Sequence, residues 1–126
     1  MSKQKSFSSL FKEAKPIIAC IHLAPLPGSP LYEGNMTTIY DQAIEELEIF
    51  KKYSVDAIIV ENFRDKPFYP SRVPAETIAS LSAISRELIR NCSIPVGVNV
   101  LRNDGESAMA IATAVKADFI RVNVHR

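Results

Sequence analysis

Apolar runs and amphipathic segments alternate along the chain in a regular order. Four short apolar runs are predicted as buried strands, at residues 17–23, 56–62, 94–100 and 118–124. Between them, apolar residues recur every three or four positions, which predicts three helices, and a short amphipathic helix is expected at residues 6–14. Because strict alternation favours parallel strands joined by right-handed crossovers, the pattern predicts an α/β fold in one domain, residues 1–126.

Capping residues support the helix predictions. Thr37 or Thr38 is expected to cap the helix after the first strand, with Asp41 near its positive end. Pro74 suits the first turn of the next helix, and Asp104 is expected to cap the last one. Each of the first three apolar strands is therefore followed by a loop that ends in a helix start.

Polar side chains follow the apolar strands at their carboxyl ends. Parallel strands bring these ends to one edge of a sheet, which in a barrel is the mouth that carries the active site. Alternation along the fourth strand also places Arg121 on the polar face. The side chains expected at this edge are His22, Glu61, Asn62, Asn99, Asn123 and His125.

The loop after the first strand is unusually stiff. Pro25, Pro27 and Pro30 fix the backbone φ angle, while Gly28 permits a tight turn. A stiff loop beside His22 is expected to hold the polar strand end in place at low entropic cost, as a preorganised site requires.

Composition narrows the function classes. The chain has 47% hydrophobic and 23% charged residues, which is typical of a globular protein. Its net charge of +1 gives no bulk attraction to nucleic acid or membrane. No apolar run approaches the ~20 residues of a membrane span, and the amino terminus does not read as a secretory signal. Cys20 and Cys92 lack metal-site spacing, so reduced thiols in a cytoplasmic protein are expected.

Four ordered motifs carry a family resemblance. They are KPIIACIHLAPLPGSP, ENFRDKPFYPSRVPAET, PVGVNVLRND and ADFIRVNVH, which together span almost the whole chain. In these motifs the chain resembles the BtpA/SgcQ family. The resemblance implies a (β/α)8 TIM barrel of roughly twice this length, ~250 residues. This chain would supply the first half: four parallel strands with three intervening helices and a short amino-terminal helix.

The resemblance implies little about a reaction. Cyanobacterial members are linked to photosystem I biogenesis or stability, and other members occur among sugar-utilisation functions. The family pattern continues after the fourth strand as a His-Thr-Gly-type turn, whereas here Arg126 follows His125. We expect a truncated or split product that is not catalytically competent alone. Its open strand edges would pair with a second copy or with the missing carboxyl-terminal half.

Candidate catalytic residues are Glu61, His22 and His125. Glu61 ends an apolar strand and is the candidate general base, and the histidines are candidates for proton transfer near neutral pH. Two bland interpretations stay open: His22 bonded to a loop carbonyl, and Glu61 in a salt bridge with Arg64 or Lys66. A divalent metal held by His22, Glu61 and His125 is a further alternative.

A basic rim is expected from Arg64, Lys66 and Arg72 in the loop after the second strand and from Arg102 after the third, and it predicts the kind of ligand. Guanidinium groups suit phosphate or carboxylate, so a small anionic metabolite, phosphosugar- or nucleoside-like, is the expected substrate. Solvated loop charges and structural hydrogen bonds are the alternatives, and a non-catalytic assembly factor is the alternative function. The candidate substrate-binding residues are Asn62, Arg64, Arg72, Asn99, Arg102 and Asn123.

Overall fold

Four parallel strands form one sheet, as the alternating pattern predicts. The computed structural model describes residues 6–66 and 68–123. The strands lie in the order β1 (Ile18–His22), β2 (Ala57–Glu61), β3 (Val96–Asn99) and β4 (Phe119–Ile120). A short helix, α1 (Phe7–Leu10), precedes them, and the intervening helices are α2 (Met36–Lys52), α3 (Ala75–Arg90) and α4 (Gly105–Val115). This is the first half of a (β/α)8 barrel, and over the described residues the sheet does not close.

The hydrophobic core lies between the sheet and its three long helices. Ile21, Val60 and Val98 alternate with the polar strand ends and point toward the helices, where they are fully buried. The helices meet them with the apolar stripes that the sequence pattern predicts. The fully buried apolar helix residues of this layer are Leu47, Leu81, Ile84, Leu88 and Ala108, with Ile111 almost so.

The opposite face of the sheet is the inner face of the half-barrel. Its register sets Ile59 beside Gly97, and Gly97 beside Phe119. A Cβ atom on Gly97 would lie 2.3 Å from the Phe119 ring, so only glycine allows that ring to cover β3. Phe11 packs edge-on against Phe119, with ring centroids 6.4 Å apart.

The helix expected at residues 6–14 is shorter in the structure. Ser6 caps the helix by accepting from Ser9 N, but the helix ends at Leu10. Phe11 adopts an extended conformation that buries its side chain to 8% exposure against the inner face. Packing of one aromatic ring therefore outweighs the weak helical preference of a serine-rich segment.

Two other local predictions need correction. The cap of α2 is Asn35, which accepts from Thr38 N, because the helix begins at Met36. Thr37 and Thr38 thus lie inside the helix, and Asp41 falls beyond its first turn. Pro74 immediately precedes α3 as its cap residue, and Asp104 caps α4 as predicted.

Aspartates bind neighbouring β/α units together at the start of the strands. Asp56 Oδ2, before β2, accepts from Ile17 N at 2.7 Å, and Asp118 Oδ2, before β4, accepts from Val96 N at 2.9 Å. In each pair the start of one strand is fixed by the residue immediately before the next strand of the sheet.

Among the helices of the described residues, none combines the length and the apolar character that a lipid bilayer demands.

Candidate functional site

Polar side chains from β1, from β3 and from the residue that follows β4 converge on Glu61 at the end of β2. His22 on β1 and Asn99 on β3 are its register neighbours, and Arg121 follows β4. Asn99 Nδ2 donates to Glu61 Oε2 at 3.1 Å, while His22 Nε2 and Arg121 Nη1 lie 3.9 and 3.6 Å from Oε1. The prediction that the polar strand ends meet at one edge therefore holds for these residues. Their catalytic and binding roles stay predictions.

Glu61 is buried and only partly satisfied. It is 3% exposed, and Asn99 beside it is 1% exposed. Within the described part of the chain, Glu61 Oε1 and Asn99 Oδ1 accept no hydrogen bond of ordinary length. Leaving such a buried acceptor without a donor costs about 1–3 kcal/mol. Two adjacent buried oxygens without a donor require a partner such as a ligand, an ion or a water molecule.

The Cys20 thiol also lies beside Glu61, although the sequence did not single it out. We call Cys20, His22, Glu61, Asn99 and Arg121 the Glu61 cluster. Cys20 lies two residues before His22 on β1, so both side chains project from the inner face. Burial, together with contact with the Glu61 carboxylate, raises the pKa of the thiol to about 11. Ligand atoms of Cys20, His22 and Glu61 lie within 4.8 Å of one another. The set expected from sequence included His125, which lies outside the described residues.

Phe63 orients His22. The two rings stack with centroids 4.1 Å apart and planes 12° apart, and Lys66 Nζ lies 5.4 Å from the Phe63 centroid. Among the described residues, the guanidinium that approaches Glu61 is that of Arg121, and the salt bridge with Arg64 or Lys66, which the sequence left open as an alternative, does not form. Phe63 directly follows Glu61 and Asn62 at the end of β2. This aromatic residue beside the polar strand end was the available sequence signal for the stack on His22.

The Asn62 side chain binds the backbone of the loop after β3, and the substrate contact expected from the sequence stays a prediction. Its Nδ2 donates to Leu101 O at 2.9 Å, and its Oδ1 accepts from Leu101 N at 2.6 Å. Because the side chain is 1% exposed and uses both ends on the backbone, it fixes the loop after β3. The alternative interpretation, a structural hydrogen bond, is the one the structure supports.

Asp65 and Asp104 continue this pattern between loops. Asp65 Oδ1 accepts from Leu26 N at 2.7 Å, which ties the proline-rich loop to the loop after β2. Asp104 Oδ2 accepts from Val73 N at 2.9 Å, which ties the loop after β3 to that same loop. Burial raises the pKa of Asp65, although the hydrogen bond from Leu26 partly opposes it. We call these contacts, with those of Asn62, the interloop bonds.

The expected basic rim is dispersed. Arg72 pairs with Glu106 on the exposed surface, and Arg102 is exposed, with its backbone N–H bound to Tyr69 O. Asn123 is also exposed. None of these three side chains joins the Glu61 cluster. Arg72 and Arg102 are exposed in loops, and Asn123 lies beyond the paired part of β4.

Arg64 instead faces two adjoining cavities beside α2. One, of about 280 Å³, is lined by His22, Gln42, Glu46 and Arg64 among others, and the second, of about 410 Å³, shares Gln42 and Arg64. Burial raises the pKa of Glu46, while the charges of Arg64 and His22 oppose it. His22 thus belongs both to this cavity and to the Glu61 cluster.

Comparisons with known proteins agree with the half-barrel. The model of the BtpA family matches residues 13–126. The chain is 49% identical over 111 residues to an uncharacterized protein of Pyrococcus abyssi and 45% identical over 114 residues to the photosystem I biogenesis protein BtpA of Synechocystis. These alignments cover 88% and 90% of this chain but 42% and 40% of the relatives. The chain therefore spans about two fifths of their length. No solved structure matches.

Proposed function

The chain belongs to the BtpA family, and from that premise we propose that it supplies the catalytic strand ends of a barrel enzyme. The substrate is a small anionic metabolite, phosphosugar- or nucleoside-like, and the chemistry is acid–base. One observation carries the proposal: His22, Asn99 and Arg121 surround the buried carboxylate of Glu61 from three other strands. A purely structural scaffold has no need for polar ends on every strand.

The two oxygens of Glu61 divide the work in this proposal. Asn99 holds Oε2, which leaves Oε1 as the oxygen that takes a proton from substrate. His22, held by its stack on Phe63, is the second proton-transfer group. Arg121 provides the positive charge that recognises a phosphate or carboxylate, since guanidinium suits such anions.

Catalysis requires a completed barrel in this proposal. Strand β1 has a free outer edge, and Ile17 and Ile18 there are 67% and 37% exposed, which favours pairing with further strands. The partner is the remaining half of a family barrel or, in its absence, a second copy of this chain. The two free thiols, Cys20 and Cys92, support a reducing, cytoplasmic location.

A non-catalytic role is the second candidate. The Synechocystis relative, 45% identical over the matched region, is named a photosystem I biogenesis protein. A corresponding role here would use the fold as an assembly or stability factor. It predicts that surface substitutions impair function and that substitutions at the strand ends do not.

The test is a thermal-shift screen of phosphosugars and nucleosides against the full-length Pyrococcus abyssi relative, followed by a carboxyl-to-amide change at the position aligned with Glu61. We expect a stabilising metabolite, and loss of its turnover in the variant with a nearly unchanged melting temperature. The matched control is a substitution in the same relative at the position aligned with Glu87, which lies on the exposed face of α3 in this chain. Turnover that survives the amide variant contradicts the assignment of Glu61 as the base.

A further inference from the structure

Three donor atoms of different chemistry meet on the inner face of the half-barrel. Cys20 and His22 share that face because they lie two residues apart on β1, and Glu61 is the direct register partner of His22 on β2. The sulfur, imidazole nitrogen and carboxylate oxygen all lie within 4.8 Å of one another. We propose that Cys20, His22 and Glu61 bind a divalent transition-metal ion of the Zn²⁺ class.

The Glu61 carboxylate supports this independently of the clustering. Its Oε1 atom is buried and, among the described residues, accepts no hydrogen bond of ordinary length. The nitrogen of His22 stands 3.9 Å from it, too far for a hydrogen bond but close to the spacing of two ligands on one ion. A cation between these atoms satisfies the orphaned oxygen and removes its desolvation cost.

The donor set selects the metal. Thiolate and imidazole are typical ligands of zinc and its neighbours, whereas Mg²⁺ and Ca²⁺ prefer oxygen alone. Tetrahedral ligands at normal zinc distances lie about 3.3–3.8 Å apart. The His22–Glu61 separation is nearly that already, and the other ligand atoms need to approach by at most about 1.0–1.5 Å, within reach of side-chain rotation.

Binding of the ion changes the protonation of Cys20 and the position of Arg121. The Cys20 thiol proton passes to solvent as the Cys20 sulfur coordinates. Arg121, whose Nη1 lies 3.6 Å from the same Oε1, turns outward on its half-exposed side chain because two cations repel each other. Arg121 is therefore a competitor of the ion, and its removal tightens binding.

The metal site does not rest on the proposed reaction. Three protein ligands leave a fourth position open, which is typical of catalytic zinc sites. In the metal-bound protein, Glu61 is a ligand, and a metal-bound water takes over the role of base that Glu61 has without the ion. Binding is measured without turnover, so the two proposals fail separately.

The experiment is a Co²⁺ titration of the metal-free full chain, followed by absorbance of the thiolate-to-cobalt charge-transfer band and then by Zn²⁺ displacement. We expect a band at one ion per chain, absent in Cys20→Ser and retained in Cys92→Ser, the matched control with the other free thiol. Glu61→Gln weakens binding by about tenfold or more, and Arg121→Gln strengthens it. Circular dichroism checks that each variant is folded.

Several results overturn the proposal. They are no band in the parent chain at saturating Co²⁺, a band that survives Cys20→Ser, and unchanged affinity in a folded Glu61→Gln variant. A band that forms only in Arg121→Gln also overturns it, because the guanidinium then holds the place of the ion in the native protein. A substrate that binds while Co²⁺ does not removes the metal site and leaves the proposed reaction standing.

Discussion

Asp104 offers the sharpest test of how the loops are held, through the substitution Asp104→Ala. The side chain is 3% exposed and makes three bonds: Oδ1 accepts from Ser107 N at 3.0 Å, and Oδ2 accepts from Ser107 Oγ at 2.6 Å and Val73 N at 2.9 Å. One bond caps α4, and another is an interloop bond. Alanine removes all three without offering a replacement acceptor.

The expected loss follows from these bonds. Removing a helix cap costs about 1 kcal/mol, and stranding the buried Val73 N–H costs about 1–3 kcal/mol. We expect the free energy of unfolding to fall by about 2–4 kcal/mol. Asp104→Asn keeps one oxygen for the cap but loses the acceptor for Val73, so its loss should be smaller. Asp41→Ala on the exposed face of α2 is the control, expected within about 0.5 kcal/mol of the parent.

Urea unfolding followed by circular dichroism measures these changes as shifts of the midpoint at constant slope. Burial acts to raise the pKa of Asp104, but its hydrogen bonds with Ser107 and Val73 outweigh burial and hold the pKa below its ordinary value. The stabilisation is therefore present above the unfolded-state pKa and is lost as pH falls through the folded-state pKa. A loss below about 1 kcal/mol at neutral pH, or one that does not shrink in acid, refutes the reasoning.

Three further predictions concern other parts of the fold. Burial raises the pKa of Asp65, so the stabilisation from its protonated form is complete below the unfolded-state pKa and is lost as pH rises through the folded-state pKa. The variant Asp65→Asn keeps an acceptor for Leu26 N and carries no charge. Its urea midpoint should therefore match that of the parent in acid and equal or exceed it at neutral pH. Gly97→Ala should cost about 1–3 kcal/mol because its Cβ would enter the Phe119 ring. The cost should largely disappear in a Phe119→Ala background, and equal costs in both backgrounds contradict the contact. The chain alone should be catalytically inactive and should self-associate through its open edges. Gel filtration at micromolar concentration, urea unfolding and an activity assay check this, and a monomer that unfolds cooperatively and turns over substrate contradicts it.

The periodic pattern was sufficient to predict the architecture. Four apolar runs separated by amphipathic segments leave a parallel sheet as the natural arrangement, and the shared edge of His22, Glu61 and Asn99 follows from it. Helix ends were less accurate because tertiary contacts decide them. Phe11 leaves its helix to reach Phe119, which lies 108 positions away in the chain.

Side-chain roles at the site were harder to predict than positions. Asn62 and Asn99 have the same residue type and lie just after β2 and at the end of β3, yet Asn62 binds backbone and Asn99 binds Glu61. Cys20 was expected to be a packed thiol because a single cysteine in an apolar run carries no local motif. Its significance depends on Glu61, a residue on a neighbouring strand, and pairwise register of that kind is not written in either segment alone.

The aspartate and asparagine contacts that join loop to loop and strand start to strand start have one further consequence. Several span the same interval of 39 residues, and each joins only adjacent β/α units. Each junction between neighbouring units holds at least one such bond, through Asp56 and Asp65 at the first junction, Asn62 and Asp104 at the second and Asp118 at the third. Because the participating residues differ from junction to junction, a unit moved out of its order would lose the bonds on both of its sides.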